Sequence, residues 1–174
     1  MMTAAQQFEP PHTFVPGPET TRTLRDAFGR FATGVTIVTA PSEAGPVAIT
    51  ANSFSSVSLD PPLVVWAPDR NSRRFEHFER AEHYAIHVLA ADQDALCLAT
   101  ARNAHALHEH PHELNAQGVP LIAGCLARFE CRRVACHEGG DHILVLGHVE
   151  RAVLGHDGDA LTFFRGQMRR IETT

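Results

Sequence analysis

Short apolar blocks separated by Gly, Pro, Asn and Asp run along most of the chain. Blocks rich in β-branched residues are typical of strands. The predicted strands lie at 35–40, 47–50, 63–67, 84–89, 126–134, 143–153 and 160–164. The first two are joined by the turn-forming segment 41–46 and are expected to form a hairpin. The unbroken apolar run 63–67 predicts a strand covered on both faces.

Helical periodicity predicts three helices. In the first, apolar residues recur at helical spacing before Gly34, which acts as a stop, at Leu24, Ala27, Phe28 and Phe31. Asn71-Ser72 can cap a short second helix that turns Phe75 and Phe78 inward. Residues 91–101 predict the third, with Asp92 as N-cap. Many short strands with few helices favour a barrel-like α+β domain.

The length of 174 residues fits one domain with a substantial core. Residues 1–21 are proline-rich with little apolar periodicity, which predicts an extended or disordered arm. The folded domain is therefore expected at 22–174.

Composition excludes several classes of protein. The net charge of -5, without a Lys/Arg cluster, argues against a nucleic-acid partner. The apolar runs are far shorter than a membrane span, so we expect no membrane partner and a cytoplasmic protein. The four cysteines lack Cys-x-x-Cys spacing and are expected to be reduced and mostly structural.

The polar segment 50–58 is the strongest candidate for a binding site. It carries hydroxyls and Asn52 with hardly any charge, between apolar strands. Such a segment can donate hydrogen bonds to an anionic or amide-rich ligand while its neighbours supply an apolar wall. A flavin suits this arrangement, although composition alone also fits a solvated turn.

Several motifs occur in an order and spacing that resemble the short-chain flavin reductase family, the flavin-reducing partners of two-component monooxygenases. The motifs are Thr33-Gly34-Val35-Thr36, Ala51-Asn52-Ser53, Tyr84-Ala85-Ile86-His87-Val88-Leu89, Gly118-Val119-Pro120-Leu121, Gly140-Asp141-His142 and Phe163-Phe164-Arg165-Gly166. The resemblance covers residues 23–171. It implies a mainly antiparallel split β-barrel with a few peripheral helices, which binds flavin at a homodimer interface.

The resemblance also implies site residues. His142 is the catalytic candidate, as a positioner or proton partner where nicotinamide meets flavin, although 139–142 alone would predict only a tight turn. The flavin-binding candidates are Thr33, Gly34, Val35, Thr36, Ala51, Asn52, Ser53, Val57, Ser58, Ser72, His87, Gly140 and Asp141. Ser72 and Arg73 are candidates for the flavin phosphate, although a helix cap beside a solvated Arg explains them equally well.

Three features depart from this pattern or stand outside it. His87 occupies a position where the family usually has Asn, and Gln167-Met168 replaces an aromatic residue that often follows the Arg-Gly pair. The His-rich stretch 105–113 could supply an accessory metal site. Pro111 would disturb a helix that aligned such ligands, so an exposed, pH-sensitive loop is the preferred interpretation and no metal is predicted.

The predicted function is an NAD(P)H:flavin oxidoreductase. NADH or NADPH would reduce FMN or FAD by hydride transfer, and the reduced flavin would serve a separate monooxygenase. One alternative is a flavin-binding split-barrel protein without reductase activity. Another is a reductase of a different small acceptor, such as a corrinoid or a nitro compound.

Overall fold

The computed structural model describes residues 12–172. The described residues form three α-helices, α1 (Thr21–Phe28), α2 (Phe75–Arg80) and α3 (Asp94–Arg102). Short 3₁₀ turns lie at Pro18–Thr20, Ala91–Gln93 and Ala106–Glu109. The strands are β1 (Thr33–Gly34), β2 (Thr36–Ala40), β3 (Val47–Ala51), β4 (Ser55–Leu59), β5 (Pro62–Trp66), β6 (His83–Val88), β7 (His112–Leu114), β8 (Pro120–Ile122), β9 (Ala127–Gly139), β10 (His142–Leu154), β11 (Ala160–Phe164) and β12 (Gln167–Ile171).

Seven strands form the main sheet, in the order β3-β2-β6-β9-β10-β5-β4. A three-stranded sheet, β1-β11-β12, and a two-stranded pair, β7-β8, complete the fold. Every strand pairing within these sheets is antiparallel. The α+β class with mainly antiparallel strands is confirmed, and the arrangement is consistent with the predicted split barrel.

The main core is packed between the faces of the curved sheet and α2. Trp66 of β5 meets Phe78 of α2 edge to face, with ring centroids 5.3 Å apart. Phe75 and Phe78 are both buried, as predicted. The buried strands β2 and β6 contribute Val38 and Ile86 to the same cluster. Burial of these large side chains is the dominant stabilising term.

The structure corrects four expectations about local elements. Residues 55–59, predicted as part of a polar loop, form the edge strand β4, whose side chains are mostly exposed and so give no apolar alternation. The stretch 105–113, expected as an exposed loop, contains a 3₁₀ turn with buried Leu107 and the start of β7. Asp92 is not the cap of α3, which is preceded by a 3₁₀ turn that has Ala90 at its N-cap.

The fourth correction concerns the first helix. It forms at Thr21–Phe28 but buries no residue, and Phe28 and Phe31 are 70% and 77% exposed. Its apolar side therefore faces a cavity rather than the core. None of the described helices is long and apolar enough to cross a membrane. The expected arm at 1–21 lies partly outside the described residues, and the stretch 12–17 within it has no helix or strand.

Candidate functional site

A cavity of about 560 Å³ lies where α1 and the turn after it approach β1 and β11. We call it the aromatic cavity. Its lining consists of Arg25, Ala27, Phe28, Gly29, Phe31, Thr33, Asn52 and Phe163. Thr33 and Phe163 are brought together because β1 pairs with β11, and the two residues are register partners. Three phenyl rings, two uncharged polar side chains and one arginine therefore meet in one concave surface, which is typical of a small-molecule site.

Two polar groups of this cavity lack partners. The Thr33 hydroxyl is buried and forms no hydrogen bond with the described part of the chain. The exposed Asn52 side chain likewise has no partner there. A buried hydroxyl without a partner is costly, so Thr33 is suited to a polar ligand atom. Next to it, a Cβ on Gly34 would meet no atom within 4 Å, which leaves open space above the backbone.

These features fit a flavin ring. The ring needs an apolar contact surface and hydrogen bonds to its nitrogen and carbonyl edge. The Thr33 hydroxyl and the Asn52 amide can supply such bonds, and the phenyl rings can supply the surface. Thr33, Gly34 and Asn52 belong to the predicted flavin-binding set, whereas Phe28 and Phe31 are predicted only as part of a helix face. Only the three-dimensional pairing of β1 with β11 reveals their role as cavity walls.

Other members of the predicted set lie inside the fold. Val35 and Thr36 are almost fully buried, and the Thr36 hydroxyl donates to the carbonyl of Ala51 at 2.8 Å. The Val35 amide donates to Leu161 O at 3.1 Å. These contacts hold β2 in place beside the cavity. The side chains of Val35 and Thr36 are therefore positioned to support the site rather than to touch a ligand.

His87 is also removed from the cavity. It is fully buried, and its Nδ1 lies 3.0 Å from Ile37 O while the Ile122 amide donates to its Nε2 at 3.1 Å. Nδ1 must therefore carry the proton. Both ring nitrogens are occupied by backbone partners, which leaves none for the predicted flavin contact. The imidazole instead joins β2, β6 and β8.

The Gly140-Asp141-His142 turn lies next to the segment that contains Ser72. Asp69 forms an isolated antiparallel bridge with His142, and the Arg70 amide donates to Asp141 O at 2.9 Å. Ser53 is linked to the same region, since its hydroxyl donates to Ala67 O at 3.1 Å. Three predicted motifs that are distant in sequence thus lie around the end of β5 and the start of β10.

His142 is half-buried at the start of β10. Its Nδ1 lies 2.8 Å from Asp141 Oδ1. This hydrogen bond, with the charge interaction between the two groups, lowers the pKa of the exposed Asp141 carboxyl. The carboxylate can in turn fix the orientation of the imidazole and favour a proton on Nδ1, which leaves Nε2 to face a ligand.

A second cavity, of about 510 Å³, lies between the start of α2 and the end of α3. We call it the α2–α3 cavity. Its lining consists of Asn71, Ser72, Arg73, Arg74, His77, Ala101, Arg102, Asn103, Ala104 and His105. Arg73 and Arg102 form no ion pair with the described residues, and no carboxylate lines the cavity. Such a surface is suited to phosphate.

Within this cavity Ser72 and Arg74 are partly committed to local structure. The Ser72 hydroxyl accepts a hydrogen bond from the Arg74 amide at 3.2 Å. Arg74 Nη2 donates to Ala101 O at 2.9 Å, which ties α2 to α3. Burial and the neighbouring Arg73 lower the pKa of Arg74. The cap and phosphate interpretations of Ser72 are thus compatible, because its hydroxyl proton remains available to a ligand.

Val57 and Ser58 lie on the edge strand β4 and line neither cavity. A further cavity of about 420 Å³, bordered by Tyr84, Glu130 and Glu150, contains none of the predicted site residues. It shares no lining residue with the aromatic or the α2–α3 cavity.

The His-rich stretch is partly built into the α2–α3 region. The rings of His105 and His108 are 5.4 Å apart, and His105 Nδ1 lies 3.3 Å from Pro46 O. Within residues 12–172, no three His, Cys, Asp or Glu side chains are grouped as a metal site would need.

Comparisons with known proteins identify the family of this chain. Residues 28–172 match the family described as flavin reductase like domain. The chain is 51% identical to the FMN reductase (NADH) SmoA of Agrobacterium fabrum over 98% of both chains. It is 34% identical to HsaB of Rhodococcus jostii, the reductase subunit of a flavin-dependent monooxygenase, over 87% of this chain and 78% of that one.

A solved structure shares the fold. The NADH:FAD oxidoreductase SgcE6 of Streptomyces globisporus, in complex with NAD and FAD fragments, superposes with a TM-score of 0.83 at 34% identity. The superposition covers 91% of this chain and 97% of SgcE6. The family match spans most of the chain and includes every motif on which the resemblance depends. The chain therefore belongs to the flavin reductase family.

Proposed function

We propose that this protein is an NADH-dependent flavin reductase that supplies reduced FMN or FAD to a separate monooxygenase. The buried, unpaired Thr33 hydroxyl in a cavity walled by phenyl rings is the observation that carries the proposal. The activities of the relatives SmoA, HsaB and SgcE6 support the choice of flavin, of nicotinamide donor and of a monooxygenase as the partner.

The protein's contribution would be binding and orientation. Flavin, when bound, supplies the hydride-accepting N5 atom. Thr33 and Asn52 would hold the polar edge of the ring, and Gly34 would allow close backbone approach. Ser72, Arg73 and Arg102 would hold the phosphate. Phe28, Phe31 and Phe163 would exclude water from the ring, which favours transfer between two stacked rings.

His142 would position the nicotinamide. Its Nδ1 is engaged by Asp141, so Nε2 can hydrogen-bond the carboxamide or a phosphate of the donor. Flavin binding alone does not require this contact. Loss of His142 should therefore affect the rate of reduction more than the affinity for flavin.

The assembly we propose is a homodimer in the cytoplasm. Phe28 and Phe31 leave a large apolar surface exposed beside the cavity, which a second copy would cover. The cysteines of the described chain are free thiols, as expected for a reducing compartment. Light scattering with flavin present should give twice the chain mass, and a monomer mass at micromolar concentration would contradict the dimer.

Stopped-flow reduction of bound FMN and FAD by NADH and NADPH tests the function. Wild type should reduce flavin, and His142→Ala should slow the reduction roughly 10-fold or more with little change in flavin affinity. His137→Ala, an exposed histidine on the same hairpin, is the matched control. Equal rates of flavin reduction in wild type and His142→Ala would show that His142 does not position the nicotinamide. Flavin binding without reduction by either donor would favour the binding-protein alternative.

A further inference from the structure

A fourth cavity, of about 340 Å³, adjoins the aromatic cavity. We call it the arginine cavity. Its lining consists of Arg25, Asp26, Gly29, Arg30, Phe163, Arg165 and Gly166. Arg25, Gly29 and Phe163 border both cavities, so a ligand with a ring in one can extend into the other.

The arginine cavity is strongly cationic. Its three arginines come from two distant parts of the chain, and none forms an ion pair within residues 12–172. Asp26 is the one carboxylate among the lining residues. Guanidinium groups recognise phosphate with paired donors and are the preferred residues for that purpose.

The position of Arg165 is fixed by the backbone. Its amide donates to Gly29 O at 2.8 Å, which clamps the β11–β12 turn against the end of α1. Its φ of 51° lies in the left-handed region, which is uncommon outside glycine. The guanidinium lies 5.3 Å from the centroid of the Phe164 ring. This residue is therefore held at the cavity rather than free to move along the surface.

We propose that the arginine cavity binds the phosphates of the nicotinamide donor. This inference rests on the proposed function, in which two phosphate-bearing ligands meet. The α2–α3 cavity, with Ser72 and Arg73, is the site proposed above for the flavin phosphate. The arginine cavity is a separate cationic surface that opens onto the place where the two rings would stack. It suits the pyrophosphate of a donor whose nicotinamide lies in the aromatic cavity.

A donor without phosphate gives a sharp test. Reduction of saturating flavin is measured with NADH and with 1-benzyl-1,4-dihydronicotinamide, for wild type, Arg30→Gln, Arg165→Gln and the double variant. Each single change should lower kcat/KM for NADH roughly 5-fold, and the double change should lower it further. The phosphate-free donor should react equally well with all four proteins. Arg22→Gln, an exposed arginine on α1 outside the cavity, should match wild type with both donors.

Several outcomes would overturn the proposal. Equal losses with both donors would make the arginines structural, and a loss confined to flavin affinity would assign the cavity to flavin. Unchanged kinetics would make the arginines solvated surface groups. ADP-ribose titration separates this proposal from the reductase function, because ADP-ribose carries the phosphates without the nicotinamide. Binding to wild type that is lost in the double variant supports the cavity even if no reduction occurs, and absence of binding to wild type overturns it.

Discussion

Mild acid should destabilise this fold through His87. The imidazole is buried among β2, β6 and β8, donates through Nδ1 to Ile37 O, and accepts at Nε2 from the Ile122 amide. A proton on Nε2 would remove that acceptor and place an unpaired charge in the interior. Burial is the main cause that lowers the pKa of His87 from 6.5 to about 4, with a smaller effect from Arg128 in the same direction.

The sign of the effect follows from proton binding. Between these two pKa values the unfolded chain takes up the proton and the folded chain does not, so lowering the pH favours unfolding. The stabilisation is complete above a pH of about 6.5 and is lost progressively as the pH falls toward 4. The difference between the two pKa values corresponds to about 3 kcal/mol of unfolding free energy. About 2 kcal/mol of this stabilisation is lost between about pH 7.5 and 5.

The test compares the slopes of unfolding free energy against pH. Urea unfolding of wild type, His87→Gln and the exposed-histidine control His137→Gln is measured at several values between about pH 7.5 and 5. His87→Gln should be less stable at neutral pH because one backbone group loses its partner. Its stability should fall by about 2 kcal/mol less than that of wild type across the range. Parallel curves for wild type and His87→Gln would refute the argument.

Three substitutions test the cavity and the core. Gly34→Ala should leave the urea unfolding midpoint unchanged, since the added Cβ meets no atom within 4 Å. It should weaken flavin binding roughly 10-fold, because the Cβ would occupy space that the ring needs. Unchanged flavin affinity in a fluorescence titration would show that the ring does not contact this backbone. Asn52→Ala should weaken FMN and riboflavin binding alike by about 1–3 kcal/mol, whereas a loss confined to FMN would place Asn52 at the phosphate. Gly147→Ala should lower the unfolding free energy by about 2 kcal/mol or more, because the added Cβ would overlap the buried Tyr84 hydroxyl. An unchanged urea midpoint would show that the Tyr84 side chain can move aside without cost.

Most strands of the main sheet are predictable from the sequence, because their apolar residues are the ones that the fold buries. β2 is fully buried and β-branched, so its apolar run predicts it directly. β4 was missed because an edge strand with exposed side chains is held by backbone pairing to β5 and leaves no apolar signature. Phe31 was misassigned for a related reason, since helical spacing does not reveal whether an apolar face meets the core or a cavity.

The site was predictable only in part. The family resemblance proposed Thr33, Asn52 and His142, and the structure brings Thr33 and Asn52 into one cavity. Sequence spacing could not predict this, because the cavity depends on the long-range pairing of β1 with β11. His87 illustrates the limit of transferring a position by resemblance, since a larger side chain there bonds the backbone on both sides. The arginine cavity joins α1 to a turn more than 130 residues later, and neither segment alone indicates phosphate binding.

The pairing of Thr33 with Phe163 also has a consequence for how the protein is made. The main sheet is complete in sequence once β10 has been synthesised, but the wall that β11 adds to the aromatic cavity is synthesised later. A chain truncated before Ala160 would retain every strand of the main sheet and lose the cavity. At the site we propose, flavin binding would therefore require the β11–β12 hairpin, and proteolytic removal of this hairpin should abolish flavin binding without removing the main sheet.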